Sequence, residues 1–413
     1  MINRSDFKNL VATQFLTVFN DNLFKQSVLL IAVSHAASFP EMQSWAQALF
    51  SAPFFLFAAF AGDLADRFSK RNLIVICKHI EAAIMLMAAI AFYWQSNFAL
   101  LTTVALMGTQ SAFLGPAKYG AIREYCSTSQ LANANGIFQT SVLLAILLGT
   151  GSAGHIPSNW QWLLGIIMAA TSLFGARVAM KMSVVDISAR DQLSSSFHFN
   201  PFKKLLSGLR FAKRFKGLVP AIIGHSIFWL CGSWMLLAWN EFLVPTASAP
   251  ARVELSAGIW SLGLASLSIF MGIGALISGH LCTGCIKRST PVFGGVGMAI
   301  GLTCAGLFGQ SPLSIWASLA LASFFSGFYL IPLRSLVQFL SPTDSLGSTL
   351  GLNQMLDFGL ILIASVIRPW LMTHSIDANS LLIIGAAVML MSCTALSLWL
   401  PPKTKLIDTQ HHA

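Results

Sequence analysis

The sequence predicts an all-α membrane protein of twelve transmembrane helices, arranged as two pseudo-symmetric six-helix halves. Three observations carry that prediction: scarce charge, twelve long apolar runs, and an internal repeat. Of 413 residues, 25 are Lys or Arg and 15 are Asp or Glu, together 10% of the chain. A soluble chain carries roughly 25%. Hydrophobic residues make up 55%, and the mean hydropathy is +0.70. This balance excludes a disordered chain and an ordinary cytosolic enzyme. The net charge of +10 reads as Lys and Arg in cytoplasmic loops, not as a nucleic-acid surface.

A bilayer core takes about 20 apolar residues per helix, and only helices satisfy their own backbone in lipid. The runs fall near 7–33, 41–65, 72–94, 97–114, 131–154 and 160–181 in the first half. In the second they fall near 217–244, 254–281, 291–309, 312–339, 345–369 and 378–400. With the N-terminus in the cytoplasm, inside segments hold 22 of the 25 basic residues, and only Arg252 and Arg368 lie near outside loops. That asymmetry orients the chain with both termini inside. The expected divisions are residues 1–181, a basic cytoplasmic linker 182–216, and residues 217–413. Within the linker, Phe202–Lys216 reads either as an amphipathic helix on an anionic inner leaflet or as a plain solvated connection.

The seven cysteines, mostly inside apolar runs, form no disulfide framework, and Cys282-Thr-Gly-Cys285 stands without a second pair. No metal and no cofactor are expected. There is no GxxxxGK[ST] loop, no GxSxG elbow and no HExxH motif, so the sequence does not read as an enzyme.

The repeat joins three matches at nearly one offset. Gly62-Asp-Leu-Ala-Asp-Arg-Phe-Ser-Lys-Arg71 follows span two, and Gly279-His-Leu-Cys-Thr-Gly-Cys-Ile-Lys-Arg288 follows span eight. His280 and Thr283 replace the two acids of the first copy. Pro116-Ala-Lys118 is echoed by Pro332-Leu-Arg334. Leu131, Gly136 and Gln139 are echoed by Leu346, Gly351 and Gln354. Such parallel halves are a transporter signature.

The segment 62–71 resembles the signature of the loop between spans two and three in the major facilitator superfamily. Phe19-Asn-Asp-Asn22, Gly115-Pro-Ala-Lys-Tyr-Gly120, Ala134-Asn-Gly136 and Ala145-Ile-Leu-Leu-Gly149 are similar to the bacterial lysophospholipid transporter family. That family also occurs fused to acyltransferase and acyl-carrier-protein synthetase domains; the transporter unit alone is expected here. The resemblance implies a secondary transporter in the bacterial inner membrane. It would flip lysophospholipids, chiefly lysophosphatidylethanolamine, to the cytoplasmic leaflet by alternating access. The implied partners are the phospholipid bilayer, the lipid substrate and a coupling ion, proton or sodium. Family members carry a basic residue on the seventh span; this chain has no Lys or Arg between Leu218 and Ala251. Rival readings are efflux of another small amphiphile, drug or siderophore, and, from a different class, a membrane-embedded lipid enzyme or scramblase.

An ionised side chain within a span costs about 2.5–3.5 kcal/mol, so each needs a partner or a wet cavity. Asp21 and Lys25 stand four apart on span one and can pair. Asp21 lies about 20 Å into the helix at 1.5 Å per residue, close to the midplane. With Asn20 and Asn22 the group reads as either a helix-locking pair or one wall of a substrate cavity; four polar residues in six favour the wall. Asn353 and Asp357 repeat the spacing on span eleven. The resemblance places spans one, five, seven and eleven around the cavity. Glu241, near the outer end of span seven, is a further candidate. Lys118 and Arg334, at matching positions after spans four and ten, serve either as phosphate ligands or as positive-inside anchors. Glu81, early in span three, reads as a locally paired acid.

In the 62–71 segment Gly62 permits a tight helix exit. Asp63 is expected to face a helix N-terminus or a basic partner, Asp66 and Arg67 to pair locally, and Lys70 and Arg71 to hold the loop inside. Together these charges are read as a latch of the outward-facing state.

Overall fold

Long apolar runs that fold without water must close every backbone hydrogen bond internally, and the chain does so with helices almost throughout. The computed structural model describes residues 4–34, 42–153, 160–185, 200–242, 257–309 and 311–406. The first sequence half supplies α1 (Arg4–Ser34), α2 (Met42–Arg67), α3 (Lys70–Trp94), α4 (Asn97–Tyr125), α5 (Leu131–Ser152) and α6 (Gln161–Met180). A linker helix, α7 (Pro201–Ala212), follows. The second half supplies α8 (Leu218–Glu241), α9 (Ala257–Leu281), α10 (Ser289–Phe308), α11 (Pro312–Leu340), α12 (Leu346–Thr373) and α13 (Ala378–Trp399). Each of the twelve predicted spans falls on one helix. Among the described residues, ten of these helices are long and apolar enough to cross a membrane, and α9 adds the shorter apolar stretch Ala265–Leu281.

The helices are apolar on both sides, as lipid-facing helices are. On α3, Met85, Ala88 and Phe92 are buried while Ile80, Leu86 and Ile90 are about half exposed. Some hydroxyls inside the spans turn back on their own helix: Thr17 donates to the Thr13 carbonyl at 3.0 Å and Ser27 to the Leu23 carbonyl at 2.8 Å, which closes their polarity locally.

Two boundaries differ from the sequence reading. Span four was expected to end at 114, but α4 continues through Pro116 to Tyr125. A proline removes one backbone donor and crowds the carbonyl four residues before it, yet α4 runs on through Pro116. Lys118, Arg123 and Glu124 therefore sit on a helix and not in a loop. The expected loop 62–71 is also mostly helical. Gly62 to Arg67 are the last turns of α2, and Lys70 and Arg71 open α3.

The chain forms two compact units. Unit 1 comprises 1–127, 144–212 and 341–358, and unit 2 comprises 128–143, 213–340 and 359–413. The boundary falls inside α5 and α12, and glycine explains why. In unit 1 a Cβ on Gly62 would collide with the Gly347 carbonyl, and one on Gly351 with the Ala58 carbonyl. In unit 2 a Cβ on Gly136 would stand 2.6 Å from the Ala275 carbonyl, and one on Gly279 2.8 Å from the Ala132 carbonyl. The repeat-related glycines thus let the first turns of α12 lie against α2, and those of α5 against α9, backbone to backbone.

The second copy of the repeat replaces its lost acids with backbone. Gly284, at φ +75°, donates its N–H to the Ser129 carbonyl at 2.6 Å and accepts from Leu406 N–H. The adjoining strand β1 (Cys285–Lys287) pairs antiparallel with β2 (Lys403–Lys405). Thr283 donates to the Gly279 carbonyl on its own helix.

Candidate functional site

The polar residues of α1 divide between two tasks. Asn20 is fully buried and donates to the Glu81 carboxylate at 3.1 Å, the Met168 carbonyl at 2.9 Å and Ser172 Oγ at 2.9 Å. Glu81 also accepts from Ser172 Oγ at 2.7 Å and pairs with Lys78 at 2.7 Å. This knot joins α1, α3 and α6 in a solvent-free place. Asn20 was grouped with the cavity in the sequence reading, but its amide is used in helix packing. Glu81 is locally paired, as its position suggested.

Asp21 lies one residue further and faces elsewhere. Its Oδ2 accepts from Ser111 Oγ of α4 at 3.3 Å, while its buried Oδ1 has no hydrogen-bond partner. The charges that act on it are Glu81, Lys25, Lys118 and Lys78. The expected Asp21–Lys25 pair is not formed: Lys25 Nζ instead lies 4.4 Å from the centroid of the Phe50 ring, a cation–π position. Lys25 lines a cavity of about 150 Å³ with Asn22, Gln26, Val28, Ala46, Val104 and Thr150. Asn22 steadies this wall by donating to the Val18 carbonyl at 2.7 Å.

Lys118, on the last turns of α4, has its Nζ 5.5 Å from the ring centroid of its neighbour Tyr119. Among the described residues neither Lys25 nor Lys118 forms an ion pair. The same turns of α4 meet α12, where a Cβ on Gly115 would run into the Gln354 amide. On that part of α12, Asn353 donates to the Asp357 carboxylate at 2.7 Å, both being buried. Phe358 stacks on Phe54 of α2 with centroids 3.9 Å apart. Unit 1 thus brings Asp21, Asn22, Lys25, Lys118, Asn353 and Asp357 onto α1, α4 and the first half of α12.

The other predicted residues lie apart. Arg334, in unit 2, is buried, and its Nε donates to His225 Nε2 at 2.9 Å. His225 is a basic side chain on the seventh span, on α8, which a search for Lys and Arg alone passes over; a lone His in an apolar run was the available signal. Glu241 closes α8, and its side chain lies outside the described residues.

Four signature charges of α2 and α3, Asp63, Asp66, Lys70 and Arg71, meet partners within unit 1. The sequence allows Asp63 either a helix N-terminus or a basic partner, and the basic partner is Lys204 of α7; it leads one to expect a local pair of Asp66 with Arg67. The structure gives the N-terminus to Asp66, which accepts from Gly347 N–H at 2.5 Å, Ser348 N–H at 2.7 Å and Ser348 Oγ at 2.6 Å. Those are first-turn donors of α12, which lack partners within their own helix, and the dipole there favours an anion. Asp63 accepts from Ser348 Oγ at 2.9 Å and pairs with Lys204 of α7. Lys70 pairs with Glu124 of α4 at 2.5 Å. Arg71 donates to the Met180 carbonyl at the end of α6 at 2.6 Å, where a cation is favoured.

The family profile described as Major Facilitator Superfamily matches residues 10–364. A Klebsiella pneumoniae subsp. pneumoniae protein, lysophospholipid transporter LplT, is 29% identical over 336 residues, covering 80% of this chain and 79% of its own. Its Escherichia coli (strain SE11) namesake is 28% identical over 337 residues with the same coverage. Among solved structures, the E. coli fucose:proton symporter FucP aligns with a TM-score of 0.74 at 14% identity, over 94% of this chain and 98% of its own. The human organic anion transporter MFSD10 aligns at 0.72 and 15%, over 94% and 99%. These two likenesses speak for the fold.

Proposed function

This chain belongs to the major facilitator superfamily, and from that premise we propose that it carries lysophospholipids, chiefly lysophosphatidylethanolamine, across the bacterial inner membrane. It is a multi-pass membrane transporter and not an enzyme. Net movement runs to the cytoplasmic leaflet by alternating access, with both termini cytoplasmic and a proton or sodium ion as the coupling partner. The related proteins from Klebsiella and E. coli are named for lysophospholipid transport, which supports the reading.

One observation carries it. Among the described residues, unit 1 holds an acid, Asp21, with one oxygen unpartnered, and two cations, Lys25 and Lys118, that pair with no acid. Isolated charges in a span are costly, and a ligand bearing both signs offsets them. Phosphoethanolamine is such a ligand: its ammonium suits Asp21 and its phosphate suits Lys118, while Lys25 with Asn22 lines the adjoining cavity. The acyl chain gains about 0.8 kcal/mol per buried CH₂, so it stays in apolar surroundings while the head group moves.

The test is Asp21→Asn, which keeps shape and removes charge. A charge-assisted hydrogen bond contributes about 1.5–3 kcal/mol, so transport of lysophosphatidylethanolamine is expected to fall roughly ten- to a hundredfold, at 1.4 kcal/mol per decade. Lysophosphatidylglycerol has no ammonium and should fall less. Equal loss of both lipids would assign Asp21 to the coupling ion, and full activity on both would remove it from the mechanism.

A further inference from the structure

Helix α7 has two faces with different chemistry. At 3.6 residues per turn, Phe202, Lys203, Leu206, Ser207 and Arg210 share an arc of about 140°, and every one of them is exposed. Phe202 is 67% and Leu206 53% exposed. The opposite arc is committed to unit 1. There Lys204 pairs with Asp63, Leu205 packs on Ala58, Ala59 and Met355, and Gly208 leaves 3.1 Å between an added Cβ and Leu352. Phe202 also meets the edge of Phe55 at 5.8 Å. Asn200 caps the helix through Lys203 N–H at 3.1 Å.

The exposed arc is apolar at one border and cationic at the other. Among the described residues the side chains of Lys203 and Arg210 make no ion pair or hydrogen bond. The exposed Lys213, Arg214 and Lys216 follow directly, and no acid occurs between Asn200 and Asn240. A protein partner would meet this face with acids on a shaped surface. A bilayer surface meets it with interfacial room for Phe202 and Leu206 and anionic phosphates for the cations. Clusters of four to eight basic residues beside a span suit anionic lipid, and an exposed apolar stripe with Lys and Arg beside it suits an interfacial helix.

We propose that the outer face of α7 docks on anionic phospholipid headgroups of the adjoining leaflet, while its inner face holds Asp63 through Lys204. The helix is then a bracket by which membrane charge steadies the α2 end of the Asp63–Asp66–α12 contact. This goes beyond the transport reading and does not depend on the identity of the cargo.

The test uses the full chain in bilayers of phosphatidylcholine alone and of phosphatidylcholine with phosphatidylglycerol. A nitroxide on Ser207→Cys reports collision with oxygen, enriched in the bilayer, against a water-soluble nickel chelate. Amide exchange over residues 204–212 of the unlabelled protein is followed in parallel. Phosphatidylglycerol is expected to move the label toward oxygen and to slow exchange, and high salt to reverse both. Lys203→Gln with Arg210→Gln should lower the bound-to-free ratio of the label roughly thirtyfold, about fivefold per charge. Lys204→Gln should speed exchange yet leave the label's response to anionic lipid. A label equally open to nickel in both bilayers, with exchange unchanged by lipid charge, would overturn the proposal. So would an equal response to the uncharged bilayer.

Discussion

Asp66→Ala is expected to lower transport roughly a hundredfold while the protein still reaches the membrane. Its carboxylate is 3% exposed and accepts three hydrogen bonds from the first turn of α12, two from backbone and one from Ser348 Oγ. Each bond to a charged group contributes about 1.5–3 kcal/mol, and an anion at a helix N-terminus about 0.3–1 kcal/mol more. The three share one carboxylate and do not add in full. A net change of about 3 kcal/mol in the balance of conformations is roughly a hundredfold in population. Asp66→Asn keeps one acceptor and should lose about tenfold. Asp63→Asn should lose less, since Asp63 meets only Ser348 Oγ and Lys204. Initial uptake rates normalised to membrane content check the order, and unimpaired transport by Asp66→Ala would show that the contact plays no part in the cycle.

The second large effect is on stability. Lys78 and Glu81 are both fully buried and pair at 2.7 Å. Breaking a buried pair from one side costs about 3–5 kcal/mol, because the remaining charge has no compensation. Lys78→Met should therefore sharply lower the unfolding temperature of the detergent-solubilised protein. Adding Glu81→Gln should recover more than half of the loss. A glutamine oxygen still accepts from Asn20 and Ser172, which now approach Glu81 at 3.1 and 2.7 Å, and no charge is left. A double variant no more stable than the single one would mean that the knot depends on charge rather than on its hydrogen bonds.

Much of the fold was legible because lipid imposes a simple rule on sequence. Each apolar run of bilayer length became a helix, and the repeat glycines marked the places where backbones touch, Gly62 and Gly351 in one unit and Gly136 and Gly279 in the other. Helix ends were harder: the apolar run ends at 114, yet α4 continues through Pro116 to Tyr125. Partners were harder still. Nothing within Gly62–Arg71 indicates that Asp66 rather than Asp63 takes the backbone donors of α12, or that Lys204 returns to Asp63 from 141 positions away. Spacing four apart on one helix suggested that Asp21 and Lys25 pair. Tertiary packing instead set Phe50 under Lys25 and Ser111 beside Asp21. The separation of those two charges is what makes the site suited to a ligand carrying both signs.

The most direct measurement is flux of labelled lysophosphatidylethanolamine into proteoliposomes holding this protein alone, under proton or sodium gradients, with drugs and siderophores as competitors. Saturable, protein-dependent movement of the lipid, sensitive to Asp21→Asn and little affected by the competitors, is the predicted result. Movement no faster than in protein-free vesicles, with a competitor carried instead, would contradict the account.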